Sequence, residues 1–151
     1  MTRTFTVGFS SACIVNRKGP LTVTAGQAIC VSGGTVTGGV NVQAGGALWL
    51  SNETVKGALT SKGATAITLC KGKFSGGPTI TGTTGKVNIG GAACANQGNT
   101  FSGSVSITHN TGGVTYSNNS STGSVTITHN SGGFIHDSNK ASGKVTLSDN
   151  S

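Results

Sequence analysis

Two neighbouring stretches of the chain are near-copies of each other and decide the fold. GSVSITHNTGGVTYSNNSST, residues 103–122, is followed without a gap by GSVTITHNSGGFIHDSNKAS, residues 123–142. The two stretches agree at ten of twenty positions, and a third copy, GKVTLSDNS, begins at Gly143. Repetition at a fixed period is typical of solenoid proteins, because one repeat cannot bury its apolar side without a neighbour.

The same period extends back through most of the chain. Glycine-led apolar runs recur every 19 or 20 residues, except for a longer unit of about 26 residues between Gly77 and Gly103. The runs begin at Gly19, Gly38, Gly57, Gly77, Gly103, Gly123 and Gly143. Each unit contains up to three short apolar strands separated by Gly, Asn and Ser turns. This pattern predicts one all-β domain: a cap, residues 1–18, and a parallel β-solenoid of about six to seven coils, residues 19–151.

The alternation within the strands predicts which side chains are buried. Alternate residues of a strand face opposite sides, so Val105 and Ile107 should point inward while Ser106 and Thr108 point outward. Stacking then predicts an aliphatic column of Leu21, Val40, Leu59, Pro78, Val105, Val125 and Val145. Asn110, Asn130 and Asn150 share one position after the first strand, which predicts a ladder of hydrogen-bonded amides.

The four cysteines are an even number without a CxxC motif. We interpret the extra residues of the long unit as a loop that leaves the stack and carries Cys94. Cys70 follows the second strand of the coil beneath, so a Cys70–Cys94 disulfide is predicted, with Cys13–Cys30 as the other pair. The alternative is buried free thiols.

Catalysis and a bound cofactor are not expected from this composition. Polysaccharide hydrolases and lyases need either paired carboxylates or a metal bound by carboxylates with basic partners. The chain has three acidic residues, Glu53, Asp137 and Asp149, on different coils or in different registers. No apolar run reaches membrane-spanning length. The N-terminus lacks a signal-peptide pattern, which leaves a removed signal or another export route as alternatives.

One column of side chains has metal-ligand chemistry. His109 and His129 occupy the same repeat position, and Asp149 takes that position in the next coil. These are plausible ligand types, so the column is a weak candidate metal site. The alternative is a solvent-facing polar ladder inherited with the repeat. His136 aligns with Tyr116 and is interpreted as a packing residue.

The net charge of +7 points to anionic partners. Five lysines fall in the third and fourth coils and define a candidate basic patch: Lys56, Lys62, Lys71, Lys73 and Lys86. Such a patch would suit an anionic surface polymer or glycan, and the alternative is an ordinary solvated face. Nucleic acid is not expected, because aromatic residues do not alternate with the lysines.

The outward positions of the first strand are rich in threonine. They form two parallel ranks, containing Thr22, Thr60, Thr79, Thr126 and Thr146 in one and Thr24, Thr81, Thr108 and Thr128 in the other. Ordered hydroxyl ranks on a solenoid face predict a candidate ice-binding or surface-binding face. Gln43 and Lys62 interrupt the second rank, and threonine is also simply a good exposed strand residue.

Several stretches resemble secreted actinobacterial right-handed β-helix repeat proteins. They are GPLTVTAGQAICVSGGTVTGGVNVQAGGALWL, ITLCKGKFSGG, GKVNIGGAAC and SITHNTGGVTYSNN, within residues 12–135. The resemblance implies a right-handed parallel β-helix, in line with the usual hand of parallel crossovers. It also implies an extracytoplasmic setting, and a phage-borne relative remains an alternative. It transfers no catalytic residue.

Taken together, the sequence predicts a non-catalytic structural or display module on a cell surface or virus particle. The expected partner is another protein or further copies of the chain, with a trimer as one option. An ice-binding protein and a binder of anionic polymer are the alternatives.

Overall fold

The chain folds into a parallel β-solenoid of about six turns, as the repeat predicts. The computed structural model describes residues 14–151, with side chains from residue 18 onward. This part of the chain consists of eighteen β-strands and one 3-10 turn, Ala92–Cys94, and has no α-helix. The strands form because the short runs are rich in Val, Ile and Thr, and these β-branched residues pack best on a pleated sheet.

Each turn of the solenoid contributes to three faces. Face 1 is a seven-stranded sheet of β2 (Leu21–Val23), β4 (Val40–Val42), β6 (Leu59–Lys62), β9 (Pro78–Thr81), β12 (Val105–Thr108), β15 (Val125–Thr128) and β18 (Val145–Ser148). Face 2 contains β3 (Ala28–Val36), β5 (Ala47–Val55), β7 (Ala66–Cys70), β10 (Val87–Gly90), β13 (Val114–Ser117) and β16 (Phe134–Asp137). Face 3 continues the ends of β3 and β5 with β8 (Lys73–Phe74), β11 (Thr100–Phe101), β14 (Ser120–Ser121) and β17 (Lys140–Ala141).

The bend between faces 2 and 3 is made by residues with left-handed backbone geometry. Asn52, Lys71, Asn118 and Ser138 have φ of 55, 53, 64 and 55°. The strand registers place all four at the same corner, one above another. Asparagine tolerates this conformation better than most residues, which explains part of the asparagine content between the strands.

The core is a continuous aliphatic column from Leu21 to Val125, and the prediction that Val145 extends it is wrong, because Val145 is 41% exposed in the last coil. Val105 and Val125 are 1% exposed and pair directly with each other across β12 and β15, so the predicted register is confirmed. Phe74, Phe101 and Tyr116 add an aromatic stack under face 3, with ring centroids 5.1 and 6.3 Å apart. The repetition of the sequence is explained by this packing, because each coil buries the apolar edge of the next.

The first described strand, β1 (Ile14–Arg17), pairs in parallel with β3. The rest of the predicted cap, residues 1–13, lies outside the described residues, and Cys13 of the predicted Cys13–Cys30 pair lies there too.

The long unit leaves the stack between faces 2 and 3, as predicted. Its extra residues form the 3-10 turn and a short return to β11, and a Cys70–Cys94 disulfide ties the turn to the end of β7. This cross-link closes a loop with a sequence separation of 24 residues. We call residues 91–98 the insertion.

Candidate functional site

The Thr-rich ranks lie on face 1, in register across the sheet. Pairing joins Thr22, Asn41, Thr60, Thr79, Ser106, Thr126 and Thr146 into one outward column. Thr22, Thr60 and Thr79 are exposed, whereas the last three members of the column are partly covered. The result is a row of hydroxyl-bearing side chains that runs along the solenoid axis, broken at Asn41.

The second rank is less accessible than the sequence predicts. Lys62, Thr81, Thr108, Thr128 and Ser148 pair in register, but Thr128 is only 9% exposed. The hydroxyl of Thr108 donates a hydrogen bond to that of Thr81 at 3.4 Å. Both rows are thus most exposed in the early coils and partly covered around β12 and β15, and the second row has its least exposed member at Thr128.

The five lysines of the predicted patch do not share a face. Lys62 ends a strand of face 1, Lys86 precedes a strand of face 2, and Lys56 follows face 3. Lys71 and Lys73 lie together, where they line a shallow depression of about 370 Å³ with Gln97 and Thr100. Proximity in sequence therefore did not produce one basic surface, because successive segments of a coil turn to different sides.

The histidine column stacks as predicted but has poor geometry for a metal. The rings of His109 and His129 are 5.0 Å apart and nearly parallel, at 4°. Ring-nitrogen lone pairs lie in the ring planes, so two parallel rings cannot direct them at one ion. Nε2 of His129 lies 3.3 Å from Oδ2 of Asp149. Within residues 14–151 no group of three or more His, Cys, Asp or Glu side chains is arranged to hold a metal ion.

The asparagine ladder predicted at Asn110, Asn130 and Asn150 is present beside face 1. Nδ2 of Asn110 donates to Oδ1 of Asn130 at 2.9 Å, and Nδ2 of Asn130 donates to Oδ1 of Asn150 at 2.8 Å. Oδ1 of Asn130 and Oδ1 of Asn150 each also accept a hydrogen bond from the backbone N–H of the asparagine beneath, and Oδ1 of Asn110 accepts one from the N–H of Thr83. The ladder therefore satisfies buried polar groups at a corner where the strand pairing is interrupted.

A second ladder, which the sequence reasoning missed, runs between faces 2 and 3. Nδ2 of Asn99 donates to Oδ1 of Asn119 at 3.0 Å, and Nδ2 of Asn119 donates to Oδ1 of Asn139 at 3.3 Å. The signal was available, since these residues are also spaced by 20.

Glu53 occupies the same column as this second ladder. It pairs with Gly34 in β3, and the neighbouring pairing of Thr54 with Lys73 places it beside Gly72. Its side chain is 1% exposed, and neither carboxylate oxygen has a hydrogen-bond partner among the described residues. Burial raises the pKa of Glu53 to about 7. A carboxyl group thus stands where later coils have an amide.

The last coil exposes apolar side chains that are buried in the coils before it. Val145 and Leu147 are 41 and 42% exposed, whereas Val125 and Ile127, their partners in β15, are 1 and 0% exposed. We call the surface formed by Val145, Leu147 and the half-buried Phe134 the open end. It combines apolar side chains with the outer edges of β16, β17 and β18.

These features define the chain as a parallel β-solenoid repeat protein with ladder-lined corners. Comparisons with protein-family models, curated proteins and solved structures found no match. The described part of the chain also contains no helix that is long and apolar enough to cross a membrane.

Proposed function

We propose that the protein is a non-catalytic structural module that assembles with further copies of itself through the open end. The observation that carries this proposal is the exposure of Val145 and Leu147 in β18, whereas their partners Val125 and Ile127 in β15 are buried. Burying apolar area is the dominant favourable term in association. The outer edges of β16 to β18 add unpaired backbone groups, which favour pairing with another strand.

The distribution of ionisable groups supports a role without catalysis. Glu53 lies in the interior, Asp149 lies beside His129, and Asp137 lies on face 2. These carboxyl groups occupy separate places, whereas acid–base catalysis at a glycosidic bond needs two that converge on one substrate.

The setting that we propose is a cell surface or a virus particle, outside the cytoplasm. The Cys70–Cys94 cross-link supports this, because disulfides persist in oxidising surroundings. The resemblance to secreted actinobacterial β-helix proteins in the sequence supports the same setting. A rigid stack with ladder-lined corners suits a display or decoration role, in which the module holds a fixed shape on a larger body.

The assembly is tested by light scattering on a size-exclusion column. We expect the wild-type protein to elute above the 14.8 kDa mass of one chain, at the mass of a dimer where two open ends pack against each other. Leu147→Lys should shift it to the monomer, because a charge would be buried in the contact. Ser148→Lys, which adds the same charge on the outward side of β18, should leave the assembly intact. A wild-type monomer at all concentrations would contradict the proposal.

Face 1 supports a second candidate function, binding to ice. The observation that favours it is the register of the first threonine row, which repeats at the strand spacing of about 4.8 Å. A regular row of hydroxyls and methyl groups can order water at the same spacing. In this reading the lysines at the corners keep the protein soluble and do not take part.

Ice binding is tested by recrystallisation inhibition with two matched variants. Thr79→Tyr places a bulky ring in the exposed row of face 1, and we expect it to abolish the inhibition. Thr100→Tyr makes the same exchange at an exposed position on face 3 and should leave the inhibition unchanged. Wild-type protein that does not inhibit recrystallisation, or equal effects of both variants, would remove this candidate.

A further inference from the structure

The insertion builds a cavity that the repeat itself does not provide. It lies between the 3-10 turn and the outer side of face 2, with a volume of about 220 Å³. Its polar and apolar lining comes from Asn88, Asn96, Thr115, Ser117, Ile135 and Asp137. Asn88, Thr115 and Ile135 are stacked on three successive strands, so the floor is a short ladder of face 2.

The wall of the cavity is held in place before any ligand binds. The backbone N–H groups of Cys94 and Asn96 both donate to the carbonyl of Gly91, at 2.9 and 2.8 Å. The disulfide to Cys70 ties the same turn to face 2. Gly91, at φ 75°, lies so close to the floor that a Cβ there would be 2.7 Å from Cγ2 of Thr115. A preformed wall lowers the entropy cost of binding.

The chemistry of the lining is that of a site for a hydroxyl-rich ligand. Two amides, two hydroxyls and a carboxylate surround Ile135, whose side chain is 53% exposed. The hydroxyl of Ser117 is buried and has no hydrogen-bond partner among the described residues. Buried polar groups are normally paired, so this hydroxyl is a candidate contact for a ligand.

The charge of the cavity differs from that of the chain. The net charge is +7, yet no described Lys or Arg side chain lines the cavity, and Asp137 does. The other two acidic residues have other environments, Glu53 in the interior and Asp149 beside His129. An exposed carboxylate without a basic neighbour in the lining favours a ligand that carries an amino group.

We propose that this cavity binds one hexopyranose unit, with an amino sugar preferred over its neutral counterpart. The volume is below the range of drug-sized pockets and suits a single small ring. Asn88, Asn96 and Ser117 would share hydrogen bonds with ring hydroxyls, Ile135 would contact the apolar edge of the ring, and Asp137 would accept from the ammonium group. The cavity shares strand β16 with the open end, but it uses the exposed Ile135 and Asp137 of that strand, whereas the open end uses Val145, Leu147 and the half-buried Phe134. The two proposals are therefore tested with different variants.

The test uses ¹⁵N-labelled full-length protein titrated with glucosamine and with glucose. We expect amide shifts in the insertion and on β13, with glucosamine binding about tenfold tighter, the size of one charge-assisted hydrogen bond. Ala93→Trp, an exposed position in the lining, should abolish the shifts for both sugars by filling the cavity. Asp137→Asn should remove the preference for glucosamine, whereas Asp149→Asn, with the same change in charge, should keep it.

Two outcomes would overturn the proposal. One is a titration in which neither sugar shifts the amides around the cavity. The other is binding that persists in Ala93→Trp, which would place the sugar elsewhere on the surface. Because Leu147→Lys alters the open end and not the cavity, a failed assembly test leaves this titration interpretable.

Discussion

Glu53→Gln is expected to be more stable than the wild-type protein at pH 8 and to lose much of its pH dependence. Glu53 is buried without a hydrogen-bond partner among the described residues, and its pKa is raised from 4.5 to about 7. The ionised form is therefore disfavoured in the folded state by about 3 kcal/mol, the equivalent of that shift. Glutamine has nearly the same shape and never ionises, so it avoids this cost.

The direction of the pH effect follows from proton binding. Between pH 4.5 and 7 the folded protein holds a proton on Glu53 that the unfolded chain has lost. The folded state thus binds more protons, so its stability falls as the pH rises through this range. Below pH 4.5 both states are protonated at this residue and the cost is absent. Above about pH 7 the cost is complete.

Urea unfolding at pH 5, 6, 7 and 8 measures the difference between the two proteins. We expect the advantage of Glu53→Gln to grow with pH up to about 3 kcal/mol. Glu53→Ala serves as the control for packing, because it also removes the carboxyl group but leaves a cavity. It should show the same loss of pH dependence from a lower starting stability. A difference between wild type and Glu53→Gln that does not change with pH would contradict this account.

Asn130→Ala is expected to lower the free energy of unfolding by about 3 kcal/mol or more. Asn130 is 1% exposed and stands in the middle of the first ladder. Its Oδ1 accepts from the backbone N–H and the Nδ2 of Asn110, each at 2.9 Å, and its Nδ2 donates to the carbonyl of Ile107 at 3.0 Å. Truncation leaves these buried groups without partners, and each such loss costs about 1–3 kcal/mol.

Asn150→Ala is the matched control, because it removes the same side chain from the last coil. Asn150 also accepts from the amide beneath it, at 2.8 Å, and donates to the carbonyl of Ile127 at 2.7 Å. It is only partly buried, however, so water can replace the lost contacts. We expect a cost of about 1 kcal/mol, measured by the same urea unfolding. Equal losses in the two variants would show that the ladder is not strengthened by burial.

Much of the fold was accessible from the sequence because its signals are local and repeat. The period of 2 within a strand assigns Val105 and Ile107 to the core, and the period of about 20 places Val125 above Val105. The same reasoning placed Asn110 beside Asn130. It also paired Cys70 with Cys94, since the length of the insertion allows a return to the coil beneath.

The positions of the lysines and of Glu53 depend on features that the repeat period of the sequence does not reveal. Spacing along the chain grouped five lysines, but the corners place Lys62 on face 1 and Lys86 beside face 2, away from Lys73 on face 3. From its position along the chain, Glu53 was interpreted as one of three scattered acidic residues. Its pairing with Gly34 and its place beside Gly72 instead put it in the column of the second asparagine ladder. Both results depend on where the backbone turns, which is set by a few left-handed residues such as Asn52 and Asn118.

The sequence by itself determined the repeat, the inward and outward sides of the strands and the first ladder. The inward and outward sides follow from the alternation of residues along each strand. The repeat and the first ladder follow from the period of about 20 residues, which places equivalent residues of neighbouring coils above one another. Only the tertiary structure decided the environment of Glu53, the separation of the lysines and the cavity beneath the insertion. These depend on how one irregular segment packs across a corner against strands from other coils. Such packing is settled by volume, burial and backbone geometry in three dimensions, and a linear pattern does not encode it.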